Sequence, residues 1–213
     1  MRQAFTVIEL LVVIAIVALL MGILMPVLGR ARLQAKVVVV NAELRGIGMA
    51  LDSYSFENNG KCPPTRVDCM IKDNYYQLPK ELVEDRYLPE PPQDNTWRST
   101  TIYDRFNSEY TYKYVAVGDL IVNRGYISKQ SLWVPDGFLL DEKDTGKKYN
   151  DPAKSPVRWV IYSLGPKFDL YKMKEMHYPV PRRTWYNPKT RKGIITRMRL
   201  KKGRHIGSFE TKG

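Results

Sequence analysis

Glu9 is the first residue whose type and position require a chemical explanation. It borders Leu10 to Leu28, a run with no charged residue. A carboxylate at the edge of such a run costs up to about 3 kcal/mol on insertion scales, less toward the interface, so it needs a counter-charge or a task. Cys62 and Cys69 are the only cysteines. Outside the cytosol an even count suits a disulfide closing a short loop, worth about 2–2.5 kcal/mol by loop entropy. Two unpaired thiols are the other reading, and neither a Cys-x-x-Cys spacing nor a nearby His supports a metal site. His177 and His205 sit among Met, Tyr, Lys and Arg and read as surface or strand residues. Asp136, Asp141, Glu142 and Asp144 form an acidic cluster that reads as a solvated loop. With no phosphate-binding glycine loop, zinc spacing or nucleophile elbow, the chain is expected not to be an enzyme.

Charge is concentrated at one end. From Arg182 onward the basic residues are Arg182, Arg183, Lys189, Arg191, Lys192, Arg197, Arg199, Lys201, Lys202, Arg204 and Lys212, against Glu210 alone. This end therefore holds +10 of the total +12. With Trp185 and Tyr186 interleaved, it could contact an acidic polymer, through cations on phosphates and rings stacked on bases. Acidic cell-envelope polysaccharide and acidic neighbouring subunits are other candidates. The alternative is a solubilising strand pair and tail. The residues singled out for polyanion contact are Arg182, Arg183, Arg191, Lys192, Arg197, Arg199, Lys201, Lys202 and Arg204.

The elements that must position these groups begin with the apolar run. Its 19 residues would form about 28 Å of helix, enough to cross a bilayer core. A secretory signal would have a shorter apolar region and a small-residue cleavage site after it, which this run lacks. Leu33, Val37, Val40, Leu44, Ile47, Leu51 and Tyr54 then recur at alternating spacings of four and three, an amphipathic stripe of roughly six turns. Asn58-Asn59-Gly60 is a good helix stop. Pro26, flanked by Gly22 and Gly29, is expected to kink the helix. Tyr110–Val117, Arg158–Leu164 and Gly193–Leu200 read as strands. The chain beyond the apolar arm is long enough for one domain with its own core. The expected fold class is α+β, a long N-terminal helix packed on a small antiparallel sheet.

The start of the chain resembles the type IV pilin-like family. Its members have a short basic leader, a cut immediately before Phe, a Glu four residues later, and a helix-kinking Pro. Phe5, Glu9 and Pro26 stand at those spacings. The resemblance implies that a prepilin peptidase cuts between Ala4 and Phe5 and methylates the Phe5 amine. Glu9 of a neighbouring subunit would then neutralise that amine, and the buried pair would set axial register. The family usually has Gly before the cut; Ala4 departs from that pattern, and its small side chain is expected to allow cleavage at a lower rate. Charge bias around the helix does not settle orientation; the family implies a cytoplasmic leader and a head in the periplasm, anchored by one pass in the inner membrane. The implied division is a leader 1–4, a membrane and filament-core helix 5–29, its amphipathic continuation 30–59, a head 60–181 and a basic end 182–213.

Several head segments resemble the major (G-type) pseudopilin of type II secretion. They are Gly60-Lys-Cys-Pro-Pro-Thr65, Tyr87-Leu-Pro-Glu-Pro-Pro-Gln-Asp-Asn-Thr-Trp97, Tyr110-Thr-Tyr112 and Tyr162-Ser-Leu-Gly-Pro166. This implies a structural subunit of a homo-oligomeric helical filament serving protein export. Its partners would be the peptidase and methyltransferase, an inner-membrane assembly platform and minor pseudopilins. The competing expectation is a type IV pilin whose basic end binds DNA or an acidic surface polymer, nucleic acid being the weaker candidate. The family's loop continues into an acidic run that holds calcium. Here it reads Lys167-Phe-Asp169-Leu-Tyr-Lys, too poor in carboxylates for a hard cation, so no cofactor or metal is expected.

Overall fold

The computed structural model describes residues 6–68, 74–91, 98–123, 125–130, 132–134, 147–149, 151–166 and 184–209. The chain divides into two compact units, Met1–Val38 and Val39–Gly213. Helix α1 (Val7–Glu57) supplies most of the described part of the first and the opening of the second. In the first unit Leu10 through Leu28 are exposed, and the helix contains a segment long and apolar enough to cross a membrane. The helix assignment continues across Pro26.

In the second unit α1 ends where the Asn-Asn-Gly signal stands. The Gly60 amide donates to the Ser55 carbonyl at 2.7 Å, the six-to-one bond of a left-handed helix closure. Asn59 and Gly60 both have positive φ, 53° and 77°, which these two residue types tolerate best. Beyond it come β1 (Thr65–Asp68), β2 (Asn74–Tyr75), α2 (Glu81–Glu84), β3 (Lys113–Ala116), β4 (Gly118–Val122), β5 (Tyr126–Gln130), β6 (Leu132–Val134) and β7 (Lys147–Tyr149). The chain closes with β8 (Val157–Ser163), β9 (Ile195–Leu200) and β10 (His205–Gly207).

The expected α+β architecture is present. The principal sheet has the order β10-β9-β8-β3 and is antiparallel throughout. Its middle strand β8 reads Val-Arg-Trp-Val-Ile-Tyr-Ser, β-branched and aromatic enough to be buried on both faces. The pleat sends Trp159 and Ile161 to one face and Val160 and Tyr162 to the other. The first face takes α1, where Gly48 lies against Trp159 and Arg197. Val40, Leu44, Ile47 and Leu51 of the amphipathic stripe are buried. The second face carries a core of Val115, Val160, Tyr162, Ile194, Met198 and Leu200. A further sheet, β2-β1-β4-β5, includes a parallel pair between β1 and β4, and β6 pairs with β7 as a ribbon.

Candidate functional site

At the N-terminus the sequence pattern and the geometry meet on Glu9. Thr6 precedes the first helical residue. Its hydroxyl accepts the Glu9 amide at 3.2 Å, while Glu9 Oε2 accepts the Thr6 amide at 2.9 Å and the Thr6 hydroxyl at 2.8 Å. This is a reciprocal capping box, two of the helix's orphan donors satisfied by two side chains. Reading Glu9 only as a charge missed Thr6, although Thr-x-x-Glu before an apolar run is the recognisable signature. The carboxylate remains exposed at the positive end of the helix dipole. Ala4 and Phe5 lie outside the described residues.

Cys62 follows the helix stop and is a half-buried thiol, pushed up to about 11 chiefly by burial. It lines a cleft of about 440 Å³ with Tyr54, Pro64, Asp119 and Arg158. Cys69 lies outside the described residues, as do His177, Lys167, Asp169 and the acidic cluster from Asp136 to Asp144.

The structure separates the basic residues that the sequence grouped. Arg182 and Arg183 lie outside the described part. Arg191 and exposed Lys192 sit in the turn before β9, and Lys201, Lys202 and Arg204 in the turn after it. Some nine residues of extended chain, roughly 30 Å, separate the two turns. Between them Arg197 and Arg199 alternate with Met198, so the Met198 side chain enters the core and both arginines face α1. There Asp52 forms an ion pair with Arg199, whose Nε lies 3.2 Å away without hydrogen-bond alignment, and accepts from His205 Nε2 at 2.9 Å. Arg197 contacts His205 Nδ1 at 2.6 Å. Guanidinium only donates, so Nδ1 accepts and the ring is the neutral Nε2–H form. Trp159 meets this imidazole edge-on, 5.4 Å between ring centres. Arg197, Arg199 and His205 thus form a polar seam fastening β9 and β10 to the helix.

The other side of the helix is fastened by Glu43. Its carboxylate accepts Arg105 Nε at 3.0 and 3.2 Å, with further bonds from the Arg105 terminal nitrogen and the Tyr112 hydroxyl. Burial, then the Glu43 bond, drives the Tyr112 hydroxyl far above the usual phenol range. Near the Ser163-Leu-Gly-Pro166 loop, buried Asp104 acts as the organiser. It accepts Ser163 Oγ at 2.6 Å, the Leu164 amide at 2.9 Å and the Phe106 amide at 2.9 Å. Desolvation raises its carboxyl above the ordinary range despite those bonds. Gly165, at φ 68°, lies so close to the Gly193 carbonyl that a Cβ would fall 1.9 Å from it. Asp104, Glu43 and Asp52 gave no local signal, since each acquires its partners only through the fold.

These features describe a display of surfaces and fasteners. The chain is 31% identical over 96 residues to the type II secretion system core protein G of Pseudomonas aeruginosa, spanning 44% of this chain and 67% of that protein. No family model matches the chain. No solved structure matches it with significance.

Proposed function

The chain belongs to the pseudopilin-like family of the type II secretion system core protein G, and on that premise we propose that it is a structural subunit of a secretion filament. The observation that carries this reading is the combination of that similarity with an uncharged, exposed helical segment from Leu10 to Leu28 and an α+β fold in the second unit. So large an apolar face on an isolated chain must be covered in use, first by lipid and then by neighbouring subunits. In this account a prepilin peptidase removes residues 1–4 and methylates Phe5. The head then stands in the periplasm, and subunits leave the inner membrane to assemble on a platform with minor pseudopilins. Glu9 neutralises the Phe5 amine of a neighbour, turning two costly charges into one pair and fixing register. Cys62, a free thiol in the structure, would close a disulfide with Cys69 on oxidation outside the cytosol. The role requires no cofactor.

The capping box dictates how the Glu9 role is tested. Glu9→Ala would remove both the cap and the charge. Glu9→Gln can still accept the Thr6 amide, so it removes the charge alone. We expect Glu9→Gln to enter the membrane normally and fail to yield sheared filaments. Wild-type filament yield from that variant would remove the charge-pairing role.

A further inference from the structure

Two charged surfaces stand on opposite flanks of α1 in the second unit. Asp52 and Tyr54 point about 200° apart around the helix. On the Asp52 side Arg199 and His205 seat the β9–β10 hairpin. Its turn carries Lys201, Lys202 and Arg204, all exposed. The Lys201 amide donates to the Pro156 carbonyl at 2.9 Å, which brings the Lys154 loop to the same end. Lys154 is 82% exposed and stands 4.0 Å from Asp151, too loose a pair to cancel the positive field.

On the Tyr54 side the balance reverses. Tyr54 meets Tyr87 edge-on at 6.2 Å, placing α2 and the segment after it along this flank. Burial and then Glu81, Asp85 and Glu84 raise the Tyr54 hydroxyl, and a bond to Glu57 pushes Tyr87 up to about 12. Glu81 is matched by Arg66 and Glu84 by Lys80. Glu57, Asp85 and Glu90, all exposed, then outnumber the exposed Arg86 and Lys61.

We propose that the Lys201–Arg204 turn of one subunit docks on the acidic flank, Glu57, Asp85 and Glu90, of a second copy of this chain. This rests on the self-assembly reading above and names one of its contacts. Complementary patches on opposite flanks make a head-to-tail contact, the kind that propagates as an open helix when its rotation does not close. Rim charges of this sort set orientation and exclude wrong registers more than they add affinity, which the apolar helix supplies. The turn itself, Lys-Lys-Gly-Arg, has no aromatic ring on which a base could stack, so a carboxylate-bearing protein surface suits it better than single-stranded nucleic acid.

The test uses the full-length chain expressed with its assembly machinery, scored by sheared-filament yield. Lys201→Glu with Lys202→Glu, and separately Asp85→Lys with Glu90→Lys, should each lower the yield about fivefold or more. All four substitutions together should restore it, which misfolding of either parent would not allow. Normal assembly by both parents, or a combined variant no better than the worse parent, overturns the interface alone. Loss of heparin or duplex DNA co-sedimentation in Lys201→Glu/Lys202→Glu with unchanged assembly also overturns it, reassigning the turn to a polyanion. Absence of any wild-type filament overturns both the interface and the assembly reading.

Discussion

Gly46 and Gly48 offer the same substitution twice on one helix, with opposite expected outcomes. Replacing a helical glycine by alanine gains about 1 kcal/mol through lower backbone entropy in the unfolded chain. At Gly46 a new Cβ meets nothing within 4 Å, so Gly46→Ala should realise that gain. At Gly48 the Cβ would stand 3.1 Å from both Trp159 Cη2 and Arg197 Nε. Trp159 is 1% exposed and cannot swing away, and Arg197 is tied to His205. Overpacking at such a site costs about 1–3 kcal/mol, so Gly48→Ala should end neutral to about 2 kcal/mol destabilised. Thermal unfolding in detergent, followed by circular dichroism, should show Tm about 2–4 °C higher for Gly46→Ala and unchanged or lower for Gly48→Ala. Equal rises for both would refute the placement of α1 against Trp159.

Three further predictions concern the fasteners. Glu43→Gln leaves Arg105 without its counter-charge and weakens the acceptor for Tyr112, at a cost of about 1.5–3 kcal/mol. Tyr112→Phe should cost about 1 kcal/mol, and the double variant less than the sum, as read from urea unfolding. Asp104→Asn puts an amide donor against either the Leu164 amide or the Ser163 and Phe106 donors. It should therefore destabilise by about 1–3 kcal/mol even though burial disfavours the carboxylate's charge, and a neutral result would remove Asp104 as the organiser of that loop. Tyr54, Tyr112 and Tyr114 are all raised above the unfolded phenol value, primarily by burial. Their contribution is complete below about pH 10 and is lost as pH rises beyond it, since the unfolded chain ionises first. Tyrosinate absorbance from Tyr112 and Tyr114 should appear only as the folded circular dichroism is lost; their ionisation within an intact fold would contradict their burial.

What could be read from the sequence follows a physical divide. α1, β3 and β8 carry apolar or aromatic runs and β9 an alternating pattern, and each formed where the pattern placed it to within about three residues. The short elements carry no such period. β1 is held because Thr65 Oγ1 exchanges bonds with the Ala116 backbone, and α2 is a single turn anchored by buried Leu82. β10 depends on pairing with β9 and on Asp52, far away along the chain. The basic end shows the cost of counting charges without phase. Arg197-Met198-Arg199 is a period-two pattern, and that period turns both arginines toward the helix rather than into a single basic patch. Thr6 was equally readable, and its capping role changes which Glu9 variant can test the assembly mechanism.

The central claim is that this chain is processed and built into a filament as a pseudopilin. Mass spectrometry of the N-terminus, on protein recovered from the envelope of a host with a prepilin peptidase, addresses it most directly. The account predicts a chain beginning at Phe5 and bearing one methyl group on its amine. An intact Met1, or a first residue beyond Leu28, would contradict it.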